Sequence, residues 1–396
     1  MIGSASAALT AAPLSGPASN AVLLIGSFVL LLLGAEIFTN GVEWLGHRLG
    51  VSESATGSIL AAMGTALPET MIPVIAIVNG YLSGDSSAAD SVGVGAILGA
   101  PFMLATIAMF LVGASVLYFS SQRANGAEFR FTAEATKRDL RFFLVGYSLA
   151  FLAALLPSGL TVGPVPVIDA IAFVLVGLYA VYVYRSLKSG ALMEGDDIEA
   201  LYLGSLLQRG RSPLRQMGAD AEHGTDPTVA LVVTQTALAL GLIIGGAHLF
   251  VGEVEYFATE VLQFPTAILA LLLAPLATEL PEKFNSIIWI SRDKDTLAIG
   301  NITGAMAFQG TLPVTLGILF TSWNLTLEWG TTGFLNAFSA ILAIVSGGIL
   351  YARARSADED PMEPDLFLVG GIFYLAFIAV VVYHVLYLGV TVAGGH

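Results

Sequence analysis

A proline followed by a glutamate occurs twice within strongly apolar stretches of the chain, at Pro68–Glu69 and, 213 residues later, at Pro281–Glu282. A proline in a helix interior lacks an N–H, so the carbonyl four residues earlier, that of Gly64 or Ala277, loses its helical partner. Ionised side chains in apolar surroundings are costly and are usually functional. Two carboxylates beside two freed carbonyls predict a site for a hard cation, because Ca²⁺ and Na⁺ prefer oxygen ligands.

More oxygen donors lie near each Pro-Glu pair. Thr65 and Thr278 precede the two prolines by three residues, and Glu279 adds a third carboxylate in the second copy. Asn301, in the next apolar segment, has an amide oxygen that could face the same ion, whereas its counterpart Ala96 has none. We therefore expect the second half of the chain to supply more ligands than the first. The predicted cation-binding set comprises Glu69 and Glu282 as metal ligands, with Glu279, Thr65, Thr278, Asn301 and the backbone carbonyls of Gly64 and Ala277.

Lys283 is the least expected residue near this set. It stands one helical turn after Glu279, a spacing that suits an ion pair. If Lys283 points inward, it is a tethered cation that neutralises Glu279 or stands in for one transported ion. If the helix leaves the membrane nearby, the same side chain snorkels to the cytoplasmic surface instead.

Other polar side chains in the apolar segments have plainer interpretations. Glu36, Asn40 and Glu43 predict a solvated helix face near the end of the first segment. Gln309, two turns after Asn301, is a weaker candidate ligand. Asn301 itself could instead serve as a hydrogen-bonding link between helices.

The elements that position these residues are transmembrane helices. Of the 396 residues 56% are hydrophobic and 12% charged, with a mean hydropathy of +0.80, which predicts an all-α polytopic membrane protein. Residues 1–19 read as a disordered tail, and 188–227 is the only long hydrophilic loop. This loop separates a first five-helix repeat at 20–187 from a second at 228–396. The ten predicted spans are 20–46, 54–79, 91–118, 140–156, 165–186, 228–252, 265–290, 296–322, 332–352 and 366–390.

The basic residues predict the orientation of these spans. Fifteen of the sixteen Lys and Arg residues fall in loops on one side, and Lys283 is the remaining one. Since basic loops stay cytoplasmic, we expect both termini to be extracellular and the 188–227 loop to be cytoplasmic, in a multi-pass plasma-membrane protein. The net charge of −14 disfavours nucleic acid as a partner and suits the salt-rich cytoplasm of a halophilic archaeon. Small cations and the lipid bilayer are the expected partners, and no obligatory protein partner is indicated.

The two halves are related by an inverted repeat. Each half has five spans, an odd number, so the second copy enters the membrane from the opposite face, as in alternating-access transporters with a site near the midplane. Small residues at Gly95 and Gly99, and again at Gly300 and Gly304, are expected to let another backbone approach closely.

With these motifs the chain resembles the cation/calcium antiporter superfamily, specifically the prokaryotic sodium/calcium exchangers. The resemblance rests on Gly64–Glu69, on Ala277–Glu282 and on the small-residue motifs that follow each of them. It implies ten spans in two inverted repeats, with Glu69 and Glu282 binding calcium and both threonines contributing oxygens. The chain departs from the family pattern, chiefly by losing hydroxyl and amide ligands, at Ala66, Ala96, Ala100–Pro101, Glu279 and Ala305–Met306, while Asn301 keeps an amide where the family has Asn or Asp.

The expected function is secondary active antiport, most simply export of Ca²⁺ in exchange for Na⁺, without a cofactor. The alternative is a proton-coupled exchanger of Ca²⁺ or another divalent cation, because ligands for Na⁺ are depleted while carboxylates can carry protons. An enzyme is not expected, since the five histidines are scattered and form no metalloprotease motif. A retinal photoreceptor using Lys283 and an ion channel both leave the duplicated Pro-Glu unexplained.

Overall fold

The computed structural model describes most of the chain. The described residues are 17–66, 69–70, 73–74, 77–78, 82, 94–157, 159–190, 198–209, 227–261, 276, 279–356 and 364–389. Most of the expected 1–19 tail, much of the 188–227 loop, and the site residues Ala277 and Thr278 lie outside these ranges. The first helix begins at Pro17, three residues before the predicted start of the first span.

The described residues are predominantly helical, with three π-helical segments and one short hairpin. Seven of the described helical segments are long and apolar enough to cross a membrane. Each of the ten predicted spans contains helix, but the complete ten-span inverted repeat stays a prediction. The elements are α1 Pro17–Leu49, α2 Glu53–Ala55, π1 Thr56–Ala61, α3 Ala62–Thr65, α4 Val94–Met103, π2 Leu104–Ala108, α5 Met109–Phe119, α6 Ala133–Ala154, β1 Thr161–Val162, β2 Val165–Pro166, α7 Val167–Leu187, α8 Tyr202–Arg209, α9 Val229–Tyr256, π3 Phe257–Val261, α10 Leu280–Ser291, α11 Asp295–Gln309, α12 Leu312–Phe320, α13 Thr332–Ser356 and α14 Asp365–Leu388.

Helices α1 and α9 pack against each other through reciprocal glycine contacts. An ideal Cβ on Gly34 would lie 3.1 Å from the backbone nitrogen of Ile243. An ideal Cβ on Gly246 would lie 3.2 Å from the backbone nitrogen of Leu31. Adding 212 to Gly34 gives Gly246, and adding 212 to Leu31 gives Ile243. The two contacts are therefore equivalent, as expected for two copies of one contact about a pseudo-twofold axis.

A second close crossing joins π1 to α11. An ideal Cβ on Gly304 would lie 2.5 Å from Cα of Ser58, and one on Gly300 would lie 3.2 Å from the Ser58 nitrogen. The predicted close backbone approach at Gly300 and Gly304 is therefore confirmed. Gly95 and Gly99 have no such backbone neighbour within the part of the chain that the structure describes.

The second Pro-Glu motif lies at a helix start. Helix α10 begins at Leu280, so Pro281 occupies the first turn, where its missing N–H removes no helical hydrogen bond. The prediction that Pro281 lies in a helix interior is wrong. Glu282 is also in the first turn of α10, where the partial positive charge of the helix N-terminus stabilises a carboxylate.

Two of the three polar residues predicted to form a solvated face on α1 are buried, so that prediction is wrong for Asn40 and Glu43, which are each 1% exposed, whereas the Glu36 side chain is 35% exposed. The chain at 198–209 covers Asn40, because Asn40 Nδ2 and Trp44 Nε1 both donate to the carbonyl of Glu199, at 3.0 and 2.8 Å. Glu43 instead accepts from Trp289 Nε1 of α10 at 2.8 Å. Part of the long hydrophilic loop therefore packs on α1.

Candidate cation-binding site

Three glutamate side chains are buried together near the two Pro-Glu motifs. Glu69 is 7% exposed, Glu279 1% and Glu282 0%. Their charges are close enough to interact with one another. All six carboxylate oxygens lack a hydrogen-bond partner within the described part of the chain. Because buried polar groups are normally satisfied, these oxygens are available to a cation.

The first and second halves of the chain meet beside these carboxylates. Thr65, the last residue of α3, has its hydroxyl 3.5 Å from Oδ1 of Asn301 on α11. The Thr65 hydroxyl also faces the Glu282 carboxylate but donates to the carbonyl of Ala61, at 3.1 Å. Its lone pairs therefore remain free to accept a cation.

Asn301 forms the hydrogen-bonding link between helices that the sequence offered as its alternative role, and its role as a ligand stays a prediction. Its Nδ2 donates to the carbonyl of Glu282 at 3.0 Å and to Oγ of Ser286 at 3.2 Å, which links α11 to α10. This leaves Oδ1 on the side of Thr65. Asn301 therefore fixes the start of α10 and presents an amide oxygen to the site.

Lys283 points into the cluster. Its side chain is 1% exposed, and its Nζ donates to the carbonyl of Glu279 at 3.0 Å and lies 3.9 Å from Oε2 of the same residue. The ammonium group also interacts electrostatically with Glu282 and Glu69. Of the two orientations that the sequence left open, the structure has the inward one.

Two further amides belong near this set. Gln309 lies beside Glu279, and Asn285 stands one turn after Glu282. Both side chains are buried, and neither amide has a hydrogen-bond partner among the described residues. From the sequence, Gln309 is only a weak candidate ligand and Asn285 is not predicted at all, since an amide in an apolar helix also fits a helix-to-helix hydrogen bond.

The described residues contain no cluster of three or more Asp, Glu, His or Cys side chains spaced to hold a metal ion. Gly64, one of the predicted carbonyl donors, packs against the Phe38 ring of α1. Ala277 and Thr278 lie outside the described residues, so their place in the set stays a prediction.

A second charged cluster lies in the turn between α10 and α11, at Arg292–Asp295, here named the charged turn. Every residue of this turn bonds to the first half of the chain through side chains. The contacts are Arg292 with Glu36, Asp293 with Arg123, Lys294 with Glu43, and Asp295 with Arg123. The turn therefore ties the second half of the chain to the first on the side predicted to be cytoplasmic.

Comparisons with known proteins show what this chain is similar to. The chain matches the sodium/calcium exchanger protein family over residues 19–188 and 231–388. It is 40% identical over 55 residues to an uncharacterized membrane protein, MJ0091, from Methanocaldococcus jannaschii; this match spans 14% of the chain and 18% of that relative's length.

The fold is similar to solved structures of the sodium-calcium exchanger NCX_Mj. The structure soaked with Na⁺ and Sr²⁺ has a TM-score of 0.64 at 18% identity, covering 91% of this chain and 97% of that one. The structure soaked with zero Na⁺ and Ca²⁺ has a TM-score of 0.62 at 17% identity, covering 91% and 98%. At this identity the likeness establishes the fold. Because the family match covers most of both halves, this integral, multi-pass membrane protein belongs to the sodium/calcium exchanger protein family.

Proposed function

We propose that this protein is a secondary active antiporter that exports Ca²⁺ in exchange for inward Na⁺ by alternating access. Glu69 and Glu282 bridge the divalent ion from opposite repeats. The counter-ion competes for the same carboxylates, so the site holds one species at a time and only filled states switch between faces. The other proposed ligands are Glu279, Asn301, Thr65, Thr278 and the carbonyls of Gly64 and Ala277.

The observation that carries the proposal is the set of six buried carboxylate oxygens without hydrogen-bond partners among the described residues. An isolated buried carboxylate is costly unless it is paired or binds a metal ion. These oxygens come from both halves of the chain, beside Thr65 and Asn301, which contribute oxygens of the kind that hard cations prefer.

The same proposal includes ten spans in two inverted five-helix repeats, with both termini extracellular and the 188–227 loop cytoplasmic. The reciprocal contacts of Gly34 with Ile243 and of Gly246 with Leu31 support it, because a pseudo-twofold axis between the halves produces such pairs. A pseudo-twofold axis in the membrane plane also supports rocking of one repeat against the other about a shared site.

Uptake of ⁴⁵Ca²⁺ into proteoliposomes tests the proposal, with an outward gradient of Na⁺ alone and then of H⁺ alone. We expect sodium-driven uptake by the wild type and its loss in Glu282→Gln, which keeps the shape of the side chain but removes its charge. Glu328→Gln, which changes an exposed glutamate outside the helices, is the control and should transport normally. Absence of uptake by folded wild-type protein under both gradients would refute antiport of Ca²⁺.

Proton coupling is the second candidate. Ala66 and Ala305 are each 0% exposed and supply no side-chain oxygen at positions where the family pattern has polar ligands. With fewer neutral oxygens for Na⁺, the three carboxylates could instead carry protons in exchange for the divalent ion. Uptake driven by the H⁺ gradient and unaffected by Na⁺ would favour this function.

A further inference from the structure

The Lys283 ammonium group is held inside the carboxylate cluster and directed away from the charged turn at the C-terminal end of α10. Its Nζ reaches back one turn to the carbonyl of Glu279, so the side chain points toward the N-terminus of α10. The basic residues Arg292 and Lys294 lie at the opposite end of that helix. With 1% of its side chain exposed, Lys283 cannot be snorkelling to the surface.

The formal charges at the site are unequal. Glu69, Glu279 and Glu282 contribute three negative charges, and Lys283 contributes one positive charge that interacts with all three. The four residues together therefore carry a formal charge of −2. One divalent cation neutralises this charge, and so do two monovalent cations.

Neutrality matters because a repeat carries its site across the apolar barrier most readily when the buried charges are compensated. An unpaired charge in a low-dielectric interior costs several kcal/mol, so states with excess charge are sparsely populated. Without Lys283 the three carboxylates would need a third monovalent cation to reach neutrality. The ammonium group occupies the place that this third ion would otherwise take.

We propose that Lys283 is a built-in counter-ion that fixes the exchange at two monovalent cations for each divalent cation and makes it electroneutral. This inference rests on the proposed antiport, whichever monovalent ion drives it. Lys283 is not a ligand in this account, since its ammonium group binds no cation. It sets the stoichiometry by charge.

Equilibrium accumulation of ⁴⁵Ca²⁺ in proteoliposomes tests the inference, with the membrane potential clamped by a K⁺ gradient and valinomycin and the Na⁺ gradient held fixed. For the wild type we expect the accumulation ratio to be independent of the potential and to follow the square of the Na⁺ gradient. For Lys283→Met we expect one net charge to move per cycle, so that the ratio changes about 50-fold for about 100 mV of imposed potential. Lys283→Arg, which retains the charge, should remain independent of the potential.

The wild-type measurement alone decides the matter if Lys283→Met does not fold. Wild-type uptake that responds to the potential overturns the counter-ion role and leaves the proposed antiport standing. Potential-independent exchange by Lys283→Met also overturns it, because a merely structural lysine could be replaced without altering the charge moved. Absence of any exchange by folded wild-type protein refutes the proposed function and this inference with it.

Discussion

Arg123 donates two hydrogen bonds from Nη2 to the two carboxylate oxygens of Asp295, at 2.8 and 2.7 Å, and both side chains are fully buried. Arg123 lies in the segment between α5 and α6, whereas Asp295 is the first residue of α11. This ion pair therefore joins the two halves at the charged turn. Because each half carries part of the candidate site, contacts at the turn constrain how far one half can move against the other.

Removing one partner of this buried pair should destabilise the protein strongly. Arg123→Gln leaves the Asp295 carboxylate buried without its counter-charge, and such a loss costs about 3–5 kcal/mol of the free energy of unfolding. Thermal unfolding of the detergent-solubilised protein measures the effect. The control is Arg130→Gln, because Arg130 and Glu128 form an ion pair whose side chains are 61% and 51% exposed. Exposed pairs contribute about 0–1 kcal/mol, so equal unfolding midpoints for the two variants would contradict this account.

The charged turn should also lose stability in acid through Asp293. Partial burial alone would raise the pKa of Asp293, but N–H groups of Ala124 and Asn125 and the Arg123 guanidinium outweigh it and lower the pKa. A carboxylate whose pKa is lower in the folded state stabilises the fold above its unfolded pKa, about 3.9. That contribution is lost as the pH falls through the folded value.

We therefore expect Asp293→Asn to have a lower unfolding midpoint than the wild type at neutral pH and to converge with it as the pH falls below the ordinary range for aspartate. Thermal unfolding across a pH series measures this. When Arg123→Gln is also present, the difference in unfolding midpoint between proteins with and without Asp293→Asn should depend less on pH, because one cause of the lowered pKa of Asp293 has been removed. A difference that widens toward acid would refute the sign of the effect.

Gly304→Ala should disrupt the crossing of π1 and α11. The added Cβ would overlap the backbone of Ser58, which cannot rotate away as a side chain can. Overpacking of this kind costs about 1–3 kcal/mol, and here it also separates Thr65 from Asn301. We expect a lower unfolding midpoint and slower Ca²⁺ uptake.

Gly241→Ala is the matched control on α9, because an ideal Cβ there meets no atom of the described residues within 4 Å. Alanine is a better helix former than glycine by about 1 kcal/mol, so this variant should be neutral or slightly stabilised. Equal behaviour of the Gly304 and Gly241 variants would mean that the π1–α11 crossing tolerates an extra methyl group.

The long apolar stretches of the sequence predicted where helices lie. A helix that spans a membrane must form its backbone hydrogen bonds internally and must have an apolar sequence. The duplicated Pro-Glu pairs likewise predicted that Glu69 and Glu282 would lie together. Three features depended on tertiary packing. These are the helix break that puts Pro281 in a first turn, the inward direction of Lys283 and the partners of the Arg292–Asp295 turn. For each of them, the local sequence is compatible with several structures.

Gln309 and Gln235 are both 1% exposed, but only Gln235 has hydrogen-bond partners among the described residues. Gln235 donates to Asn40 Oδ1 at 2.8 Å and accepts from the N–H of Leu203 at 2.7 Å. Gln235→Met should therefore lower the free energy of unfolding by about 1–3 kcal/mol, because its partners remain buried. The apparent KM of this variant for Ca²⁺ should not change, because Gln235 holds the 198–209 segment and is not among the proposed ligands.

Gln309→Met should show the opposite pattern if the amide beside Glu279 contributes an oxygen to the bound ion. The unfolding midpoint should stay near that of the wild type, because Gln309 has no hydrogen bond to the described residues that the change would remove. The apparent KM for Ca²⁺ should rise about tenfold, equivalent to about 1.4 kcal/mol of binding free energy. Uptake kinetics and thermal unfolding of the two methionine variants provide the comparison. A Gln309→Met protein with unchanged KM would assign that amide to packing, and the carboxylates would then bind the ion without it.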